Sequence, residues 1–132
     1  MEKFGHRVRI LTGRSRGVSM EVKIKELSQY LRGWMNYFGI AVTYQTSVSL
    51  DQWIRRRVRM CYWKQWHRPR TRIRNLIELG VSQKLAISCG ASSKGYWRGA
   101  KTEGIQIALN NKLLMEQGLV SLKDIWISLR YG

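Results

Sequence analysis

Six apolar residues, Met20, Ile24, Leu27, Leu31, Trp34 and Phe38, recur at steps of four, three, four, three and four. A repeat of 3.6 collects all six on one side of an α-helix, whereas a strand would divide them between two faces. A stripe of about five turns must be covered by other parts of the chain. Ser19 offers an N-cap hydroxyl just before it and Gly39 a stop just after it. One long amphipathic helix is therefore the fixed point from which the rest is read.

The flanking segments carry the same signature. Glu2 to Thr12 reads as a short basic helix with Phe4, Val8 and Leu11 inward. Gly13-Arg14-Ser15-Arg16-Gly17 is a glycine-bounded loop that lets two arginines reach outward. After a β-branched linker from Ala41 to Thr46, Ser47 or Ser49 caps a third helix running to about Trp66. Its buried stripe is Leu50, Ile54, Val58 and Cys61, with Arg55, Arg56, Arg59, Trp63 and Trp66 on the other side. Pro69 suits the first turn of a fourth helix, with Ile73, Leu76 and Ile77 inward and Gly80 as its stop.

Shorter helices follow: one capped by Ser82 and reaching about Cys89, then Lys94 to Lys101, Glu103 to Asn110, and Asn111 to Gln117, stopped by Gly118. Ser121 caps a last helix containing Leu122, Ile125, Trp126 and Leu129. The expected fold is all-α, an irregular helical domain built on two long amphipathic helices with several short helices after them. A single proline in 132 residues agrees, and that length suffices for one core.

Charge narrows the partner. The chain has 24 Lys and Arg against 8 Asp and Glu, a formal excess of +16. Such an excess repels itself unless a polyanion neutralises it, and nucleic acid does so by releasing condensed counter-ions. An anionic membrane surface is the competing partner. Fifteen of the basic residues are Arg, whose planar fork suits phosphates and whose plane stacks on bases. No run of about 18 apolar residues occurs, so no membrane span is expected. The basic first 16 residues carry no signal-peptide apolar core. Cys61 and Cys89 lack CxxC spacing and read as buried thiols.

The densest charge lies in the middle. No carboxylate occurs in the 26 residues between Asp51 and Glu78, which hold Arg55, Arg56, Arg57, Arg59, Lys64, Arg68, Arg70, Arg72 and Arg74. Trp53, Tyr62, Trp63 and Trp66 are interleaved with them. Cations for phosphates and rings for splayed bases make a nucleic-acid surface; a solvated basic helix over core tryptophans is the plainer reading. Trp53 sits beside the apolar stripe and reads as core; Trp63 and Trp66 either stack on bases or cover the next helix. Ser93-Lys94-Gly95-Tyr96-Trp97-Arg98 is a second cluster, either a close-approach site at a glycine or a helix packing two rings inward.

Catalytic signals are weak. No pair of neighbouring carboxylates could share the two metals of a polymerase. His6 and His67 have no partner at metal-ligand spacing, and no GxSxG or phosphate-binding glycine loop occurs. No cofactor is implied.

Several segments resemble one known family. Leu31-Arg32-Gly33-Trp34-Met35-Asn36-Tyr37-Phe38, Trp53-Ile54-Arg55-Arg56-Arg57-Val58-Arg59-Met60 and Trp63-Lys64-Gln65-Trp66 are similar to the maturase-specific domain of group II intron reverse transcriptases. Arg74-Asn75-Leu76-Ile77-Glu78-Leu79-Gly80, Lys94-Gly95-Tyr96-Trp97-Arg98 and Gly118-Leu119-Val120-Ser121-Leu122 follow in the family's order. The likeness covers about residues 19–127, more loosely the first helix, and is weakest from Gln83 to Gly90. It implies a thumb that binds intron RNA, helps it fold for splicing and grips the RNA/DNA template–primer duplex. It implies that catalysis belongs to a palm this chain lacks, whose fingers and palm are partners, in a bacterial cytoplasm or an organelle. On that reading residues 1–18 join from the palm and residues 19–132 form the maturase/thumb domain.

The residues expected on RNA are Arg55, Arg56, Arg59, Arg70, Arg72 and Arg74 for phosphates, with Trp63 and Trp66 as stacking candidates. Arg14 and Arg16 come second, Lys94 and Arg98 third. Arg32, within the Arg-Gly-Trp motif, is expected to anchor a helix junction. The alternative is a general basic RNA- or DNA-binding structural protein without preference for an intron.

Overall fold

The computed structural model describes residues 2–13, 17–92 and 95–132. Among these the chain is helical without strands. The long helix predicted from the stripe is α2, Met20–Phe38, preceded by α1, Glu2–Leu11, and followed by α3, Tyr44–Gln65. Ser19 caps α2 as expected, its hydroxyl accepting the Val22 N–H at 3.2 Å.

The stripe drifts at its end. Met20, Ile24, Leu27 and Leu31 are buried, but Met35 continues the row while Trp34 is half-buried and Phe38 is exposed. An α-helix advances by 3.6, so a strict four-three alternation walks slowly around it. Trp34 packs instead on Phe4 of α1, with ring centroids 4.3 Å apart.

Gly39 ends α2, but not through a left-handed turn: its φ is −59°, and the chain continues into a single 3-10 turn, Gly39–Ala41. Its lack of a side chain serves packing. A Cβ there would stand 2.6 Å from Leu129 Cδ1 in the last helix.

Helix α3 starts earlier than Ser47 or Ser49 would have it. Thr43 is the N-cap, accepting from Thr46 N–H at 3.1 Å, and Ser47 is buried in the first turn with its hydroxyl on the Tyr44 carbonyl. The helix thus gains at least one turn over a Ser47 cap; Asp51 is inside, beside Ile54, Val58 and Cys61, and Leu50 is half-buried.

The remaining helices are α4 (Pro69–Glu78), α5 (Gln83–Gly90), α6 (Tyr96–Gly99), α7 (Glu103–Ala108), α8 (Asn111–Glu116) and α9 (Leu122–Tyr131). Gly80 and Gly118 take φ of +98° and +101°, the left-handed conformation that closes α4 and α8. Helices α6, α7 and α8 are shorter than the sequence suggested, because glycines and caps break the backbone ladder there, whereas α9 starts after its Ser121 cap as expected. Asn110, for example, caps α8 by accepting the Leu113 N–H at 2.9 Å.

Helix α3 is the axis of the assembly: α9 and α6 pack on it, α4 pairs with α5, and α7 lies against α5. One apolar cluster runs through α1, α2, α3 and the later helices, from Phe4 to Leu122. Both thiols are free and buried; Cys61 donates to the Thr12 carbonyl at 3.1 Å, and burial pushes its pKa up.

Candidate nucleic-acid interface

The middle of α3 presents its arginines in two directions. Arg55, Arg56 and Arg59 line an open groove of about 620 Å³, whose far wall is Trp97, Ala100, Lys101, Gln106 and Asn111. Ser49, Gln52 and Trp53 complete the near wall, and none of the described lining residues is acidic. Arg57 turns the other way, its Nε donating to Thr12 Oγ1 at 2.7 Å. Arg9 and Arg57 lie 5.4 and 5.9 Å from the centre of the half-buried Trp53 ring.

Within the groove the three arginines differ. Arg55 is half-buried and makes no hydrogen bond to the described residues, which leaves all its donors for a ligand. Arg56 donates through Nε and Nη2 to the Trp97 carbonyl, at 3.2 and 3.1 Å, and its guanidinium carbon sits 3.8 Å over the Trp97 ring. Arg59 donates from Nε to the Leu109 carbonyl at 2.7 Å and from Nη2 to Asn111 Oδ1 at 3.0 Å. Burial, and then the positive charge of Arg55, lower its pKa to about 10. Two of the three are thus anchored to their own chain yet keep charge and free N–H groups facing the groove.

The expected arginine island is divided. Arg70 and Arg74 are exposed on α4, where they flank Ile73 and Ile77 beside a shallow cleft that shares no lining residue with the groove. Arg72 corrects the expectation of a phosphate contact. It is buried at 7% exposure, donates from Nη2 to the Trp63 carbonyl at 2.9 Å and stacks 4.3 Å over the Trp63 ring. Trp63 corrects a second expectation: at 1% exposure it is core. Trp63 does lie on the side of α3 away from the Ile54 stripe, about 180° round from Ile54, but at this end of the helix that side is covered too, by Gly99 of α6 and Arg72 of α4. Trp66 is half-buried against the same cluster, 6.4 Å from Trp63 between ring centres.

The second cluster follows neither of its readings in full. Trp97 packs partly against the core, and Gly99, not Gly95, is the close approach: a Cβ on Gly99 would stand 2.5 Å from Trp63 Nε1, while Gly95 has nothing within 4 Å. Arg98 is exposed outside the groove lining. Arg14, Arg16 and Lys94 lie outside the described residues. Arg32 is exposed on α2.

Sequence reasoning missed Gln52, Lys101, Gln106 and Asn111, which share the groove with the arginines. Gln52 lies on α3 itself, whereas Lys101, Gln106 and Asn111 lie on or beside short helices that give no periodic signal, so only the packing of α6, α7 and α8 near α3 brings them in. Among the described residues no three of His, Cys, Asp and Glu gather as a metal site, and no helix is long and apolar enough to cross a membrane.

A cationic groove on the middle helix of an all-α unit agrees with one known family. The group II intron maturase-specific domain matches residues 1–79. The chain belongs to that family. The match spans α1 to α4 and contains every α3 arginine, while the wall formed by Trp97, Lys101, Gln106 and Asn111 lies beyond it. Membership gives the chain a group II intron maturase function and a general interaction with intron RNA, in a domain that is a non-catalytic part of group II intron reverse transcriptases. No curated protein matches the chain.

Proposed function

We propose that this maturase-specific domain is an RNA grip: it holds folded intron RNA for splicing, and it clamps the template–primer duplex as the thumb of a reverse transcriptase whose fingers and palm carry the catalysis. The observation that carries this reading is the convergence of Arg55, Arg56 and Arg59 on one groove with no acid among its described lining residues. Phosphates are the ligand such a groove stabilises most, and its salt dependence follows from the counter-ions they release. Residues 1–18 serve as the joint to the palm and residues 19–132 as the gripping domain. The exposed arginines of α4, Arg70 and Arg74, form a second contact along the RNA backbone.

The mechanism needs no side-chain chemistry on this chain. An intron that splices through its own folded RNA needs its active fold to be populated. A protein that binds that fold more tightly than the alternatives shifts the population by its difference in affinity. Backbone contacts supply affinity, and contacts to unpaired segments supply choice.

The test is binding to a group II intron RNA and to an unrelated structured RNA of equal length at matched salt. Tighter binding of the intron is expected. Equal affinities would replace this reading by that of a general basic RNA-binding protein. In a primer-extension assay the chain by itself should incorporate no nucleotide.

A further inference from the structure

Arg56 is held unlike its neighbours. Both Nε and Nη2 are fixed on one carbonyl, that of Trp97, and the guanidinium carbon sits over the Trp97 indole, 3.8 Å from its centre. A cation that only neutralises phosphate gains nothing from such a constraint; Arg55, one residue away, has none. The result is a rigid planar plate with the indole behind it. Arg56 is half-buried and lines the groove, so the plate's open face meets whatever enters.

The groove also offers directional polar groups. Gln106 donates its Nε2 to the Lys101 carbonyl at 2.7 Å, which fixes the amide and leaves its oxygen as an acceptor. Asn111 accepts from Arg59 through Oδ1, which leaves its amide N–H groups as donors. Gln52 is exposed on the α3 side. A volume of about 620 Å³ is that of a site enclosing a small ligand. Paired bases hide their faces in the stack and their edges in the pair, so a stacking plate flanked by oriented amides addresses a base that is unpaired.

We propose that this groove is a subsite for one unpaired RNA nucleotide, its base stacked on the Arg56 plate, its edge read by Gln106 and Asn111, and its phosphate held by Arg55. The subsite rests on the RNA-binding reading above and adds to it the class of nucleotide recognised. Its second wall lies outside the residues matched by the family.

The test compares two RNA hairpins with the same stem, one fully paired and one carrying a single bulged 2-aminopurine, each titrated with the 132-residue chain at matched salt over a series of salt concentrations. The bulged hairpin should bind about tenfold tighter, the scale of one stacked base, and the emission of its 2-aminopurine should change on binding. Arg56→Lys keeps the charge and removes the plate. It should erase the preference while leaving the salt slope unchanged. Gln106→Leu, at an exposed position, should leave the fold intact by circular dichroism and alter the ranking of bulged adenosine against bulged uridine. Equal affinity of the wild-type chain for both hairpins, with a normal salt slope, would overturn the subsite and leave the RNA grip standing. Failure to bind either hairpin overturns the subsite, and failure to bind intron RNA as well overturns the broader reading. An unchanged base ranking in Gln106→Leu overturns the assignment of the base edge.

Discussion

The carboxylate of Asp51 in α3 accepts the backbone N–H of Leu122 at the start of α9, 2.7 Å away and 71 residues later in the chain. Its other oxygen takes the Lys123 N–H at 3.0 Å and the Ser121 hydroxyl at 2.8 Å. A buried carboxylate is acceptable at such a place because three donors and the positive end of a helix compensate the lost water. The geometry also bears on the groove. Asp51 stands four residues before Arg55, the spacing of a common helix ion pair, but its carboxylate is committed to α9. Among the described residues the last acid before the arginine run therefore makes no hydrogen bond to that run.

Replacing Asp51 with Ala should destabilise the domain by about 1–3 kcal/mol, because the buried Leu122 N–H loses its acceptor. Asp51→Asn should lose less, since one oxygen remains. Urea unfolding measures both. A change below about 0.5 kcal/mol for the alanine variant would mean that α9 is capped adequately by Ser121 alone.

Arg55 and Arg59 should separate binding from stability. Arg59 has a lowered pKa of about 10 because burial and the nearby Arg55 both disfavour its charge. Removing Arg55 relieves that repulsion and breaks no hydrogen bond among the described residues. Arg55→Gln should therefore keep or raise the melting temperature while the slope of log K against log salt falls by about one unit. Arg59→Ala should instead lower stability by about 1–3 kcal/mol, since the Leu109 carbonyl loses its donor. A destabilised Arg55→Gln would sink this division of roles.

On α4 two arginines separated by one residue should behave oppositely. Arg72→Ala removes a buried guanidinium bonded to the Trp63 carbonyl and stacked on its ring, and should cost roughly 1.5–3 kcal/mol of stability. RNA affinity, corrected for the folded fraction, should stay unchanged. Arg74→Ala, on the exposed side, should leave stability within about 0.5 kcal/mol and weaken RNA binding in a salt-dependent way. Chemical denaturation paired with filter binding gives both quantities; a loss of affinity confined to Arg72→Ala would reverse the assignment.

The contrast shows what the sequence could carry. Periodicity placed α2 and its cap at Ser19, and turn chemistry placed the ends of α4 and α8, because these depend on neighbours within a few residues. It could not tell Arg72 from Arg74, nor Trp63 from a surface ring, because both depend on which face of a basic helix a later helix covers. The buried role of Asp51 needed a partner 71 residues away. The α6–α7 wall of the groove needed the packing of four- and six-residue helices, too short for any pattern to show.

Gly99 and Gly95 bracket α6 and make the sharpest comparison of packing. A Cβ at Gly99 would fall 2.5 Å from Nε1 and 2.6 Å from Cδ1 of Trp63, an indole that is 1% exposed and has no room to retreat. Gly99→Ala should cost about 1–3 kcal/mol through overpacking, with a change in the near-ultraviolet circular dichroism of the displaced indole. Because α6 also carries Trp97, a shift of that helix moves the surface on which Arg56 rests. Gly95→Ala meets nothing within 4 Å and should leave stability within about 0.5 kcal/mol. Equal tolerance of the two substitutions would mean that α6 does not sit against Trp63, and the groove would lose the wall that gives it shape.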